Sequence, residues 1–333
     1  MKHIAKKIFA AIGSAALLSC AAFAPALNII KDDATLVASA LSWTNPIDGV
    51  TYDYVQDYGG VAITLCRNTP QVKNLNIPNN IAGQPVVAIY ADSFLRAGSS
   101  KCNCVQNVTM PNTIRTIGND FFYNCDGLIN IQLSSTLLTI GNYCFYDADG
   151  LQNMNVPNSV KSIGTYFCNW AYGLINVSLG SGIEILGAHA FARTPKLQDF
   201  NSSTCTLLKT IREGILVSSK WANNQSSSDA LYIGPNNKIL LRYQRKNTNS
   251  YVELGNNVRI IADKAFNDSS WTYGSYITQI VGPRIERIGD NVFGKVPNAT
   301  VRFSASLMYD NYGNDWYNIV TAKVSPATFV PMH

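Results

Sequence analysis

Apolar residues return every 23 positions from Met110 to Phe200, and no gap is needed to keep them in step. The copies are MPNTIRTIGNDFFYNCDGLINIQ (110–132), LSSTLLTIGNYCFYDADGLQNMN (133–155), VPNSVKSIGTYFCNWAYGLINVS (156–178) and LGSGIEILGAHAFARTPKLQDFN (179–201). Met110, Leu133, Val156 and Leu179 open them, and Ile114, Leu137, Val160 and Ile183 hold the fifth position. Ile117-Gly118, Ile140-Gly141, Ile163-Gly164 and Leu186-Gly187 hold the eighth and ninth. Leu128, Leu151, Leu174 and Leu197 follow, each three residues before Ile131, Met154, Val177 or Phe200. A unit this short cannot bury its own apolar stripe, so the copies must stack into one continuous core. If each copy ends in a strand, alternation turns its 22nd and 24th residues inward and its 21st and 23rd to solvent.

The frame extends in both directions. Upstream, IPNNIAGQPVVAIYADSF (77–94) fits with about five residues inserted near Ala82–Pro85, and a second insertion lies around 97–101. Downstream, VELGNNVRIIADKAF (252–266) and PRIERIGDNVF (283–293) restore it, giving roughly eight rungs. Between them, ALYI, GPNNK and ILLRYQ read as a β-hairpin spliced into the stack. A period of this length with leucine-class residues in register is that of a leucine-rich repeat solenoid. The expected fold is an α/β-type, β-rich repeat solenoid with a parallel sheet. It divides into a leader (1–40), a capping hairpin (41–75), repeats (76–213), the inserted hairpin (214–251), further repeats (252–303) and a C-terminal cap (304–333).

The pattern [I/L]-P-x-x-V-x-x-I-G-x-x-x-F-x-x-C-x-x-L-x-x-I-x-L resembles the BspA-like leucine-rich repeats of bacterial surface proteins. The stretch 77–94 is similar to that family's first repeat, 49–66 to its capping hairpin, and VRFSASLMYDNYGNDW (301–316) to its closing strand and amphipathic turn. The resemblance covers about residues 49–320 and implies a surface protein that adheres to host matrix proteins or to other cells. The sequence departs from the pattern where Cys168 replaces the aromatic of Phe122, Phe145 and Phe191, and where Ser134 and Gly180 replace proline.

The chain opens with MKHIAKK and an apolar run rich in small residues, as a secretory signal peptide does. Cleavage is open between Ala38-Ser39-Ala40 and Ala24-Pro25-Ala26. A third reading takes Leu17-Leu18-Ser19-Cys20 as a lipoprotein box with Cys20 lipidated, and an uncleaved leader would itself be an anchor. No sortase-type motif stands at the C-terminal end. The expected location is outside the cell.

Net charge +5 with 14% charged residues gives no clustered basic surface of the kind nucleic acid requires. The one basic cluster, Arg242-Tyr243-Gln244-Arg245-Lys246, reads as a solvated hairpin tip. The cysteines follow the repeat rather than a disulfide framework. Cys102 and Cys125 share a repeat position and so form a candidate disulfide, while Cys144 and Cys168 read as small core residues. Cys102-x-Cys104 lacks the second Cys or His pair of a zinc site, so no metal and no cofactor is expected. Catalysis is not expected either. Of three histidines, only His189 lies within the repeats, at a variable surface slot shared with Asp120, Tyr143 and Tyr166. The nearest acidic pairs, Asp147/Asp149 and Asp310/Asp315, read as turn and cap residues.

Binding candidates lie on two faces. The 21st positions read Asn107, Asn130, Asn153, Asn176 and Asp199, and the 23rd read Thr109, Gln132, Asn155, Ser178 and Asn201. Nine of these ten are uncharged and polar. Stacked amides bond to one another along a ladder, and the same surface suits hydrogen bonding to a protein or glycan ligand. The second face holds Tyr123, Tyr146, Trp170 and Tyr172, which read either as an interface or as a seam packed across adjacent turns. Binding, a structural spacer without a ligand, and an enzyme using residues 214–251 are the three readings left standing.

Overall fold

A computed structural model describes residues 41–67, 72–90, 104–225, 228–244, 250–267 and 276–333. The leader and Cys102 lie outside these, as do Arg245 and Lys246.

Three antiparallel strands, β1 (Leu41–Thr44), β2 (Thr51–Asp57) and β3 (Gly60–Arg67), form the N-terminal cap. The first repeat strand β4 (Asn74–Asn76) follows, then the small hairpin of β5 (Asn80–Ile81) and β6 (Gln84–Ile89). The regular rungs contribute β7 (Asn107–Thr109), β8 (Thr116–Ile117), β9 (Asn130–Gln132), β10 (Thr139–Ile140), β11 (Asn153–Asn155), β12 (Ser162–Ile163), β13 (Asn176–Ser178), β14 (Ile185–Leu186), β15 (Asp199–Asn201) and β16 (Thr210–Ile211). Helix α1 (Lys220–Asn224) is started by Ser219, whose hydroxyl accepts the Ala222 N–H. After it come β17 (Ala230–Ile233), β18 (Ile239–Tyr243), β19 (Tyr251–Glu253), β20 (Ile260–Ile261), β21 (Gln279–Gly282), β22 (Arg287–Ile288) and β23 (Thr300–Ser304). Helices α2 (Ala305–Tyr312) and α3 (Trp316–Val324) and the last strand β24 (Thr328–Met332) close the chain.

Each 23-residue copy makes two short strands rather than the one expected at its end. The second is a two-residue strand at positions seven and eight, and its sheet is the longer: β8, β10, β12, β14 and β16 pair in parallel and join the cap through β6 and β3. Glycine follows this strand because the rungs approach closely there. A Cβ on Gly164 would stand 2.4 Å from the carbonyl carbon of Gly141.

A third ladder runs along the turn after that glycine. Tyr143, Phe145 and Asp147 donate their N–H groups to the carbonyls of Thr165, Phe167 and Asn169 one rung on, and the same alternation holds in the rungs on either side. It forces two residues per turn into the left-handed region: Asp120, Tyr143, Tyr166 and His189 at one position, Asn124, Asp147, Trp170 and Arg193 at the other. Each costs roughly 1 kcal/mol or more for a residue with a side chain, and the inter-rung hydrogen bonds hold it in place.

Inside, the aromatic departure at Cys168 is compensated within its own copy. Phe167, one position earlier, fills the space, packing at 5.2 Å from Phe145 and 5.6 Å from Phe191. Cys144-Phe145 and Phe167-Cys168 are the same pair in opposite order, and all four side chains are fully buried.

The inserted hairpin is a wall between two cores. Leu231, Ile233 and Ile239 pack with the N-terminal core, and Ala230, Leu240 and Tyr243 with the C-terminal one. Strand β18 then pairs in parallel with β20, so the hairpin also serves as a rung. Its tip is Gly234–Lys238. The basic cluster is therefore not the tip: Arg242 and Tyr243 lie in β18, and Tyr243 is buried against Phe266.

Candidate functional site

Strands β7, β9, β11, β13 and β15 carry the ten polar candidates. Asn107 and Ser178 are half-exposed, and Thr109, Asn130, Gln132, Asn153, Asn155, Asn176, Asp199 and Asn201 are exposed. Parallel pairing aligns them in two columns: Asn107 beside Asn130, Thr109 beside Gln132, Asn153 beside Asn176, Asn176 beside Asp199. Strand β4 lengthens both columns by a rung with Asn74 and Asn76, which the irregular spacing upstream had hidden.

The asparagines form a directed ladder. Asn107 Nδ2 donates to Asn74 Oδ1 at 2.7 Å, Asn130 Nδ2 to Asn107 Oδ1 at 2.8 Å, and Asn176 Nδ2 to Asn153 Oδ1 at 2.8 Å. The face is not one continuous sheet, however. It divides into β4-β7-β9 and β11-β13-β15, with no pairing between β9 and β11.

The aromatic candidates separate into two pairs. Tyr123 and Tyr146 stack at 5.0 Å and 5°, and Trp170 meets Tyr172 edge-on at 5.5 Å. The Arg193 guanidinium lies 4.5 Å over the Trp170 ring. A further row, made of residues treated as a variable slot in the sequence, runs Tyr143, Tyr166, His189 at 5.0 and 5.2 Å. His189 is thus half-buried rather than solvated, and Gly214 leaves room for its ring, since a Cβ there would come within 2.5 Å of the imidazole. In the Tyr123–Tyr146 and Tyr143–Tyr166–His189 stacks the ring faces meet and leave mainly edges to solvent, whereas Tyr172 is exposed. Burial and neighbouring hydroxyls and carboxylates push the Tyr143 and Tyr146 phenols up.

One member of each acidic pair singled out in the sequence bonds to a turn amide or a cap side chain. Asp149 Oδ1 accepts the Tyr172 N–H, and Asp315 accepts from Asn318. A different carboxylate pair does meet: Arg212 Nη1 lies 3.3 Å from Asp263 and 2.9 Å from Asp290, and Lys323 reaches Asp290 at 2.6 Å. Glu213 and Lys264 pair beside it. This network ties α3 to rungs on both sides of the hairpin. Sequence spacing could not show it, because the partners stand 51 and 78 residues apart.

Cys144, Cys168 and Cys205 are buried, and burial raises their thiol pKa values, that of Cys205 to about 11. Cys125 is also buried, while its candidate partner Cys102 lies outside the described residues. Among the described residues, no group of three or more His, Cys, Asp or Glu side chains is placed to hold a metal ion. No helix among them is long and apolar enough to cross a membrane.

The geometry of the rungs agrees with comparison to known families: residues 88–220 match the BspA type leucine rich repeat region, in six copies. Over those residues the array is of the BspA leucine-rich repeat type. Solved structures similar to the array include a leucine-rich repeat protein from Bacteroides ovatus, 19% identical over 78% of this chain and 71% of that one, with a TM-score of 0.44. A leucine rich cell surface protein from Faecalibacterium prausnitzii is 21% identical over 79% and 76%, at 0.36. The pneumococcal vaccine antigen PcpA is 14% identical over 80% and 82%, at 0.48. No curated protein matches the chain.

Proposed function

We propose that this protein is a non-catalytic binding protein of the cell exterior, adhesin-like, holding a protein or glycan ligand of a host or neighbouring cell on the polar face of its repeat array. The observation that supports this most is the pair of polar columns between Asn74 and Asn201, solvent-facing and carrying only one charge, Asp199. Such a surface offers many hydrogen bonds without the desolvation cost of ions. Extended solenoid faces are common binding surfaces. The Asn ladder also supports a second reading, a surface spacer without a ligand, since its amides satisfy one another. An enzyme is disfavoured because His189, the one described histidine within the repeats, is packed into a ring stack.

The test is binding of the chain to an array of matrix proteins, mucins and glycans, beside a variant carrying Asn130→Lys, Asn153→Lys and Asn176→Lys. Capture lost in the folded variant is the expected result. Capture retained moves the site to the aromatic turns or the hairpin, and no capture at all favours the spacer.

A further inference from the structure

Among the described residues, the main-chain hydrogen bonding of the polar face from Asn74 to Asn201 fails at one step only. In regular steps the N–H after the strand donates across to the next rung: Met110 to Gln132, Val156 to Ser178, Leu179 to Asn201. The corresponding bond from Leu133 to Asn155 is missing. The entering bonds show the same gap. Ile129 and Asn130 donate to Gln106, Ile175 and Asn176 to Gln152, and Gln198 and Asp199 to Ile175, while Gln152 and Asn153 make no such bond to Ile129. The amide ladder stops at the same step, since Asn153 Nδ2 does not reach Asn130 Oδ1. Beneath it, Ile131 is half-exposed, whereas Val108, Met154, Val177 and Phe200 in the same row are buried. On the other two sides of these rungs the ladders are intact: Gly141 donates to Ile117, and Phe122 to Cys144. The two rungs part at the polar face alone.

A main-chain N–H and C=O without a protein partner at a solvent-facing gap keep their full capacity to bond a ligand. We propose that the parting between β9 and β11 is the ligand subsite of the polar face, and that it takes hydroxyl groups of a neutral glycan. This rests on the binding function proposed above. At the parting an open acceptor, Asn130 Oδ1, stands across from an open donor, Asn153 Nδ2. The main-chain N–H of Leu133 and C=O of Asn155 repeat that pairing. A hydroxyl both accepts and donates at one oxygen, so a single sugar hydroxyl completes each broken step. Gln132 and Asn155, exposed beside the parting, supply further neutral partners, and no charged side chain in the columns adjoins it to favour an ionic ligand.

The experiment titrates the full chain with neutral gluco-, manno- and galacto-hexasaccharides, beside sulfated and sialylated ones, while following amide hydrogen exchange. Without sugar, the Leu133, Gln152 and Asn153 amides are expected to exchange faster than Val156, Ile175 and Asn176. A neutral hexasaccharide should slow the first set, and Asn130→Ala with Asn153→Ala should weaken its binding by about tenfold, the loss of one to two hydrogen bonds. Tyr58→Ala, at the exposed turn of the capping hairpin outside the columns, should leave it within about twofold. Equal exchange in both sets overturns the parting itself. Sugar binding lost on Asn176→Ala and not on the double substitution overturns the subsite but keeps the face. Capture of matrix proteins with no response to any sugar overturns the ligand class. No binding of either kind overturns the binding function on which the subsite rests.

Discussion

Gly187 lies over Gly164 so closely that a Cβ on Gly187 would stand 2.3 Å from the Gly164 carbonyl carbon. The neighbour is backbone, which cannot rotate aside as a side chain would. The glycine column at 118, 141, 164 and 187 is therefore what lets the solenoid keep its strand spacing of about 4.8 Å.

Gly164→Ala and Gly187→Ala are each expected to lower stability by about 1–3 kcal/mol, the range for overpacking a close contact. Gly255→Ala provides the contrast, because nothing lies within 4 Å of its Cβ position. There the substitution should be neutral or raise stability by roughly 0.4–1 kcal/mol through the unfolded chain. Urea unfolding of the three variants checks both, and equal effects would remove the steric account of the column.

Restoring the family aromatic at Cys168 should harm the protein. Cys168→Phe adds a ring where Phe167 already fills the space between Phe145 and Phe191, so a loss of about 1–3 kcal/mol is expected. Exchanging the pair, Phe167→Cys with Cys168→Phe, conserves volume and should recover most of it. Thermal unfolding of the single and double variants decides between a local exchange of positions and a rigid demand for cysteine at 168.

The register, the two polar columns and the hairpin were legible because each rests on residues repeated in step or on a Gly-Pro-Asn-Asn turn. The second sheet was not. Its strands, such as Thr139–Ile140, are two residues long, too short for alternation to show, and their only mark was the Ile-Gly pair. Tyr143, Tyr166 and His189 looked variable because their shared constraint is a left-handed backbone and a stack along the axis, which many side chains satisfy. The parting between Asn130 and Asn153 is invisible in a sequence whose period continues through it unchanged.

The buried thiols should be chemically silent in the native state. Thiolate is the reactive form, and burial holds Cys144, Cys168 and Cys205 above the ordinary thiol range. At pH 8, iodoacetamide should modify these three only after denaturation, as peptide mass mapping would show. Native labelling of Cys144 or Cys168 at the rate of a small thiol would contradict the packing of the third ladder.

Asp263 and Asp290 share Arg212 yet should respond to acid in opposite senses. The Lys323 ammonium bonded to Asp290, aided by Arg212, holds that carboxyl below its ordinary pKa of 3.8. A depressed folded pKa contributes stability that is present above 3.8 and lost as pH falls through the folded value. Burial raises the Asp263 pKa above the same ordinary value, against the opposing Asp290 N–H and Arg212. Its charge therefore costs stability at neutral pH, and protonation on acidification relieves the cost. Asp290→Asn should lose a few tenths to about 1 kcal/mol at pH 7, modest because the carboxylate is half-exposed, and the deficit should shrink as pH falls below 3.8 towards the lowered folded value. Asp263→Asn keeps an oxygen for the Asp290 N–H and should be neutral or slightly stabilising at pH 7, losing that advantage as pH falls. Urea midpoints for both variants from pH 7 to pH 3 test the assignment. A deficit for Asp263→Asn as large as that for Asp290→Asn would mean that the Arg212 pairing outweighs burial at that carboxylate.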